Sequence, residues 1–339
     1  MKLGRVLRGG MEDYEFVGAL CATDIDGNVL GSAGKAEHRA FIRSAAKPIQ
    51  ALPLALAADD VSLDIPIRLL ALACASHAGR PEHVDGVHEL LALGDLHTED
   101  LQCGVHQPFD LESRDRLREL GKVPTALHNN CSGKHAGMLL ACRLLDLPID
   151  NYLALDHPLQ QLIFNHFLEV GDFTEDQVGV AVDGCGVPCY RIPLRAAACI
   201  YARLANHSWS TLAPGRVQAL AKLSEAMLLH PEMVAGPGRF TTELMLASEG
   251  RILAKEGAAG FYSIGVKSDD AGSGAMGLAL KVTPGSEEIR AAVVVEVLAQ
   301  LGCLTGSERQ RLSAFDCAPV RNHAGTVVGS VEVDLQLVT

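Results

Sequence analysis

The sequence predicts an α/β protein of the α+β type, in which a mostly antiparallel sheet built from both chain termini packs with a large helical layer. Strand-like segments cluster near the two ends of the chain, and amphipathic helices fill its middle. No Pro/Ser-rich linker or internal repeat interrupts this order, so we expect a single domain over residues 1–339. Its sheet part should span about 8–34 and 250–339, and its helical part about 44–248.

The first part of the sheet is predicted to be a hairpin. Residues 15–22 (EFVGALCA) have the composition of a strand, and Asp26-Gly27-Asn28 is a turn signal. Residues 28–33 can therefore return as the second strand.

The middle of the chain repeats apolar residues at intervals of three and four, which is the spacing of one helix face. The clearest such segments are 82–93, 133–145, 158–169, 195–205 and 215–229. Between them lie two loops that contain Gly and Cys, 128–134 (HNNCSGK) and 183–188 (DGCGVP), with a short strand expected at 178–182.

Strand signals return after about residue 250. They cover 251–255, 259–266, 275–283 and 325–337, with a helix at 286–302. Apolar residues alternate strictly in 331–337 (VEVDLQL), which is the period of a half-buried strand.

Composition excludes several classes of function. The 339 residues include 41 acids and 29 bases, a formal net charge of -12, and no basic stripe that would hold nucleic acid. No apolar run approaches the roughly 20 residues of a membrane span, and residues 1–16 lack the apolar region of a secretory leader. We therefore expect a cytoplasmic protein whose ten cysteines stay reduced or bind metal.

A serine–lysine pair is the first candidate for catalysis. Arg43-Ser44-Ala45-Ala46-Lys47 contains S-x-x-K, and residues three apart share one face of a helix. A lysine whose pKa is lowered by burial and by neighbouring cations, such as Arg43, can take the serine proton. The motif alone is nearly uninformative, because Ser44 could equally be a helix N-cap beside a solvated lysine.

Two later segments strengthen the catalytic interpretation. Ser76 lies in the polar turn 75–79 (ASHAG), which could also be a helix end with Gly79 in the left-handed conformation. Lys255 closes a predicted strand in K-E-G. The order S-x-x-K, serine turn, K-x-G on a late strand is that of serine β-lactamases and penicillin-binding proteins.

The two Gly- and Cys-containing loops are candidates for a metal site. Cys131 and Cys185 lie in polar loops, and two thiolates with one nitrogen could hold zinc while leaving one position open. Spacing favours His135 as the nitrogen ligand, with His128, His106 and His157 as further candidates. The alternative is two glycine turns with partly buried thiols.

Several longer segments together resemble the Rhizobium-type L-asparaginases, from about residue 8 to the C-terminus. The segments are RSAAKPIQ (43–50), ASHAGRPEHV (75–84), CGVHQP (103–108), HNNCSGKHAGML (128–139), DHPLQ (156–160), DGCGVP (183–188), VAGPGRF (234–240) and AKEGAAGF (254–261). The resemblance implies a fold similar to serine β-lactamases and a homodimer.

The resemblance also implies the roles of individual residues. It pairs Ser44 with Lys47 and Ser76 with Lys255 as catalytic groups. It assigns zinc to Cys131, Lys134 and Cys185, replacing His135 by a lysine, with Asp183 supporting the metal-bound water. The expected substrate-binding residues are Arg43, His77 and Asp183. Ala78 and Arg80 depart from the family's usual Ser and Glu in this turn, which bears on substrate affinity.

The expected activity is hydrolysis of L-asparagine through an acyl-enzyme, in a single catalytic domain, with zinc aiding substrate binding. A glutaminase is the nearest alternative. A peptidoglycan D,D-peptidase or β-lactamase would keep the fold and change the substrate. In a third alternative the protein is a zinc-binding scaffold without catalysis.

Overall fold

A computed structural model of the chain describes residues 1–269, 274–316 and 319–338. Strands and α-helices are numbered in chain order. The strands are β1 Lys2–Arg8, β2 Met11–Thr23, β3 Val29–Ala33, β4 Arg39–Phe41, β5 Gly179–Val182, β6 Pro188–Pro193, β7 Ile252–Glu256, β8 Phe261–Val266, β9 Met276–Thr283, β10 Pro319–Arg321 and β11 Val327–Val333. The helices are α1 Lys47–Gln50, α2 Leu52–Asp60, α3 Ile67–Ala73, α4 Pro81–Ala92, α5 Leu111–Glu119, α6 Ser132–Leu144, α7 Pro158–Gly171, α8 Leu194–Asn206, α9 Pro214–Leu229, α10 Pro231–Val234, α11 Phe240–Ala247, α12 Glu287–Gln300 and α13 Gly306–Arg311.

The chain divides into two compact units. Unit 1 comprises residues 1–45, 191–206 and 243–339, and unit 2 comprises residues 46–190 and 207–242. The expectation of a single domain over residues 1–339 is not tested by this division and stays a prediction.

Unit 1 contains an antiparallel sheet built from both ends of the chain. Its strand order is β10-β11-β1-β2-β9-β8-β7, with β3 paired to β2. Each of these neighbouring pairs is antiparallel. The predicted fold class, a mixed α/β protein with a mostly antiparallel sheet from both termini, is confirmed.

The ends of the sheet differ from the sequence expectation. The sheet begins at Lys2 and not at about residue 8, because β1 pairs with both β2 and β11 and buries Leu3 and Val6. The alternation of 331–337 does not produce a strand of that length. β11 ends at Val333, which pairs with Gly4 near the start of β1, so little partner strand remains beyond it.

Helix α8 packs directly on one face of the sheet, although its sequence lies in the predicted helical middle. Gly265 and Gly277 are cross-strand neighbours beneath it. A Cβ would lie 2.1 Å from Tyr201 O at position 265 and 1.9 Å from Ala198 O at position 277. Two glycines therefore allow the helix backbone to approach the sheet closely.

Helix α12 packs on the opposite face of the sheet. Its Arg290 forms a buried ion pair with Glu256 at 3.4 Å and lies over the Tyr262 ring. Glu256 and Tyr262 are directly paired residues of β7 and β8, and their side chains point away from α8. The expected helix at 286–302 is therefore present as α12, within two residues at each end.

Unit 2 is mainly helical, and α6 forms its centre. Nearly every residue from Ser132 to Cys142 is buried, and α2, α3 and α4 pack around it. Helix α9 packs on α2 and α3. The predicted helices of this unit, at 82–93, 133–145, 158–169 and 215–229, all occur, as does the short strand at 178–182; the helix predicted at 195–205 occurs as α8 of unit 1.

The described cysteines are free thiols, and all are buried. They are Cys21, Cys74, Cys103, Cys131, Cys142, Cys185, Cys189, Cys199 and Cys303. The tenth, Cys317, lies outside the described residues. Among the residues that were described, no helix combines the length and apolar character needed to cross a bilayer.

Candidate active site

The turn 75–80 after α3 carries Ser76 and is fixed by the surrounding backbone. Ser76 N–H donates to Val234 O at 2.8 Å, and His77 N–H donates to Asn130 O at 3.1 Å. Gly79 has φ of 78°, as expected for the left-handed conformation. It is not a helix cap, however, because α3 already ends at Ala73. The turn is a separate structure that holds Ser76 inside unit 2.

Lys47 and Ser76 are in direct contact. The Lys47 Nζ donates to Ser76 Oγ at 3.0 Å and also to Ala75 O. The Lys47 side chain is 1% exposed and Ser76 is 3% exposed, so this bond lies away from solvent. A buried amine on a serine hydroxyl is the arrangement that proton transfer to or from that hydroxyl requires.

The loop 128–134 places Cys131 at the start of α6. Asn129 Oδ1 accepts from Cys131 N–H at 2.8 Å, while Asn129 Nδ2 donates to Cys103 O at 2.8 Å. Gly133 allows α6 to begin against α3, because a Cβ there would lie 2.4 Å from Leu72 O. The glycine of the C-S-G-K motif therefore sets the position of Cys131 and Lys134 beside the end of α3.

Cys131, Lys134 and Cys185 converge from the two loops. Lys134 Nζ donates to Cys185 Sγ at 3.0 Å, and Cys185 lies close enough to Cys131 to shift the pKa of that thiol. Lys47 also lies close enough to lower the Cys131 pKa, and its amine donates to Ser76. We call these five residues the buried cluster: Lys47, Ser76, Cys131, Lys134 and Cys185.

Proton sharing within the buried cluster follows from its contacts. The hydrogen bond from Cys185 outweighs burial and, with Lys47 and Lys134, holds the pKa of Cys131 well below its usual range. The same hydrogen bond and burial raise the pKa of Cys185. Burial opposes the charge of Lys134, but the thiols of Cys185 and Cys131 outweigh it and raise the Lys134 pKa.

The donors of the buried cluster fit a zinc ion. The sulfurs of Cys131 and Cys185 lie beside the amine of Lys134. Zinc is commonly bound in proteins by thiolate sulfur together with nitrogen ligands. Among the described residues, no three His, Cys, Asp or Glu side chains form a possible metal site. The nitrogen donor in contact with these cysteines is the amine of Lys134, which lies 3.0 Å from Cys185 Sγ.

His135 was the nitrogen ligand that spacing alone favoured, and it makes a different contact. Tyr152 Oη accepts from Gln102 N–H at 3.0 Å and is hydrogen-bonded to His135 Nδ1 at 2.7 Å. Burial and the nearby Lys134 and Lys47 hold the pKa of His135 well below its usual range. His135 is thus a neutral core histidine, and that interpretation from spacing is corrected.

His77 is neutral, and both of its ring nitrogens are engaged. Ser132 Oγ donates to Leu127 O, so His77 Nε2 must donate to Ser132 Oγ at 2.9 Å. Its Nδ1 accepts from Gly79 N–H at 3.2 Å. Burial, with further contributions from His83 and Lys47, holds the pKa of His77 well below its usual range. The ring supports the Ser76 turn, and its substrate-binding role stays a prediction.

Asp183 lies at the end of β5, next to the cluster. Its carboxylate accepts from Gly184 N–H at 2.6 Å, and its backbone closes the turn by accepting from Gly186 N–H. Its charge contributes to the raised pKa of Lys134. The residue is half-buried.

Arg43, Ser44 and Lys255 belong to unit 1. Ser44 lies in a 3₁₀ turn, Arg43–Ala46, whose first residue has φ of 50°. Lys255 is fully buried on β7, and its Nζ donates to Glu256 O at 3.1 Å. Gly257, two residues later, packs against the segment before Ser44, since a Cβ there would lie 2.5 Å from Ile42 O.

Sequence reasoning missed two supporting residues, Asn129 and Tyr201. Asn129 lies within the motif HNNCSGKHAGML. Its hydrogen bonds to the backbones of Cys131 and Cys103 are visible only in the folded loop. Tyr201 Oη donates to Ala45 O at 2.9 Å in the Ser44 turn. No sequence signal relates positions 156 residues apart.

Comparison with solved structures gives distant similarities to glutaminases. The Bacillus subtilis glutaminase in covalent complex with 5-oxo-L-norleucine is 13% identical, with 89% of this chain and 93% of that chain covered and a TM-score of 0.38. A probable Bacillus subtilis glutaminase complexed with 6-diazo-5-oxo-L-norleucine is 15% identical, with coverages of 92% and 88% and a TM-score of 0.34. TM-scores this low establish neither a shared fold nor a shared activity.

Comparison by family is decisive. No curated protein matches the chain. The L-asparaginase II family, in contrast, matches residues 5–333, nearly the whole length. The chain therefore belongs to the L-asparaginase II family, and it is a hydrolase that acts on amide C–N bonds.

Proposed function

We propose that the protein hydrolyses the side-chain amide of L-asparagine to aspartate and ammonia, using a serine nucleophile and a lysine base. The observation that carries this proposal is the buried hydrogen bond of 3.0 Å between Lys47 Nζ and Ser76 Oγ. Burial keeps water from competing for the amine, and the contact gives a path for a proton between amine and hydroxyl.

The proposed reaction starts at Ser44, which the family motif assigns as the nucleophile. As Ser44 Oγ bonds to the amide carbon, its proton passes to an unprotonated amine, either that of Lys47 or that of the Ser76–Lys255 pair. The amine returns a proton to the leaving nitrogen, the C–N bond breaks, and ammonia departs from an acyl-enzyme ester. Water then cleaves the ester, which releases aspartate and restores the serine hydroxyl.

We also propose that Cys131, Lys134 and Cys185 hold a zinc ion. When bound, the ion would act as a Lewis acid that orients the amino-acid end of the substrate. Lys134 would have to bind as the neutral amine, so metal binding would release its proton. Arg43, His77 and Asp183 are the residues proposed to contact the substrate.

The test is ammonia release by purified protein given asparagine or glutamine, with and without a chelator. Wild type should release ammonia faster from asparagine, and Ser44→Ala should lose that activity while remaining folded. Ammonia release by Ser44→Ala at the wild-type rate would reject the nucleophile. A preference for glutamine would retain the amidohydrolase and replace the substrate.

A homodimer and a cytoplasmic location complete the proposal. Both rest on the family resemblance and on the sequence composition. Light scattering coupled to size exclusion measures the first, since a dimer has twice the chain mass of 36.0 kDa.

A further inference from the structure

The turn that carries Ser44 has a strained entry. Arg43, immediately before Ser44, has φ of 50°, a conformation that residues with a side chain rarely adopt. Such a conformation persists only where the surrounding structure holds it. The contacts of the neighbouring residues within unit 1 show what holds it.

On one side the turn is bound by helix α8. Tyr201 Oη donates to Ala45 O at 2.9 Å, and both residues are buried. The backbone of Tyr201 is itself held close to the sheet. A Cβ added at Gly265 would lie 2.1 Å from the Tyr201 carbonyl oxygen. The close approach of α8 to the sheet therefore sets the position of the Tyr201 hydroxyl.

The segment of the turn also contacts Gly257, the residue that follows β7. Ala45 N–H donates to Ile42 O at 3.0 Å, and a Cβ added at Gly257 would lie 2.5 Å from that same oxygen. The backbone of 42–45 is thus in contact with both Tyr201 and Gly257. The segment just after Lys255 and the segment just before Ser44 are kept in contact.

We propose that Tyr201 is a positioning residue that fixes the Ser44 turn for nucleophilic attack, an inference that rests on the proposed function. The hydroxyl does not take part in the chemistry. It donates to the buried Ala45 carbonyl and so holds the turn in its strained conformation. Loss of the hydroxyl should affect the rate of attack more than substrate binding.

Tyr201→Phe tests the inference, and Tyr190→Phe is its matched control. Tyr190 is also fully buried, but its hydroxyl has no hydrogen-bond partner within the described part of the chain. Both variants remove one oxygen from a buried ring. Tyr201→Phe should lower kcat by between about 10- and 100-fold with little change in KM, because a small misplacement of a reacting group costs that much. Tyr190→Phe should keep both constants.

Hydrogen–deuterium exchange gives a readout that does not depend on the substrate. The peptide containing Ser44 should exchange faster in Tyr201→Phe than in wild type. In Tyr190→Phe its exchange rate should equal that of wild type. Wild-type kcat together with unchanged exchange in Tyr201→Phe would overturn the proposal. An equal loss of kcat in both variants would also overturn it, since any removed buried hydroxyl would then suffice.

Gly257→Ala provides a second, independent variant. Its added methyl would lie 2.5 Å from Ile42 O, which must shift, so kcat should fall and exchange of the same peptide should rise. This variant carries the test if Tyr201→Phe does not fold. Retention of activity by Ser44→Ala would instead reject the proposed function, and the exchange data would then decide alone whether Tyr201 holds the turn.

Discussion

At the scale of single residues, the structure joins a lysine and a serine that the sequence assigned to different pairs. The family motif couples Lys47 with Ser44 and Ser76 with Lys255. The contact present within unit 2 is between Lys47 and Ser76, at 3.0 Å. Lys47 also lies close enough to Cys131 to lower the pKa of that thiol, so one amine lies beside both the hydroxyl and a thiol.

Removal of the Ser76 hydroxyl should slow catalysis strongly. Ser76→Ala takes away the side-chain acceptor of Lys47, and we expect ammonia release to fall by about 10²- to 10⁴-fold, the usual contribution of a positioned proton-transfer group. Ser224→Ala is the control, because Ser224 is also buried and its hydroxyl donates to Ala221 O and accepts from His207 Nε2, not from the Lys47 amine. Comparable activity in the two variants would contradict a role for Ser76.

Removal of the Lys134 amine should weaken metal binding. In Lys134→Met the two sulfurs lose their nitrogen partner, and zinc retained after dialysis, measured by mass spectrometry, should fall by at least about tenfold. Lys222→Met serves as the control, since Lys222 is an exposed lysine bound to Asp59 at 2.8 Å. Equal zinc content in Lys134→Met and wild type would show that the amine is not a ligand.

At the scale of elements, glycines decide where the site-bearing segments lie. Gly133 sets α6 against α3, and Gly265 and Gly277 set α8 against the sheet. In each case a helix or strand backbone occupies the space where a Cβ would be. The helical repeat of these segments predicts that the helices exist. The absence of a side chain at each glycine determines which surfaces the helices can approach.

Gly277→Ala should loosen α8 from the sheet. The new methyl would lie 1.9 Å from Ala198 O, so backbone must shift, and we expect a loss of about 1–3 kcal/mol in the free energy of unfolding. Denaturant titration measures this loss. Gly306→Ala is the control, because nothing lies within 4 Å of its Cβ position. Equal midpoints for the two variants would refute the close docking of α8.

At the scale of the whole molecule, the core holds several histidines in their neutral form. Burial lowers the pKa values of His77, His135 and His83, the first two strongly. In the unfolded chain these rings bind protons below about pH 6.5. The folded protein does not bind those protons, so its stability is present above that pH and is lost as the pH falls.

Stability should therefore decline in mild acid. Between about pH 7.5 and 5.5 the Tm should fall, with up to about 1.4 kcal/mol lost per neutral buried histidine for each pH unit below 6.5. Calorimetry across this range measures the change. Four carboxylates with lowered pKa values change the stability only in stronger acid, below this pH range. They are Asp24, Glu82, Asp110 and Glu308. A Tm that stays constant to pH 5.5 would contradict neutral His77 and His135.

Much of the element pattern was predictable, because periodicity is a local property. The repeat at three and four in 133–145 and 158–169 corresponds to α6 and α7, and the turn signal at Asp26-Gly27-Asn28 corresponds to the β2–β3 hairpin. The end of β11 was not predictable. The alternation in 331–337 continues past Val333, but a strand requires a neighbouring strand, and β1 starts at Lys2.

By itself the sequence determined the class of fold, the family and the chemical types that the site contains, since these depend on composition, local spacing and motif. Only the tertiary structure decided which groups meet: Lys47 with Ser76, Lys134 with Cys185, and His135 with Tyr152. These contacts join residues from 17 to 51 positions apart. Such pairings depend on how backbones approach each other at positions such as Gly133, which residue spacing along the chain does not encode.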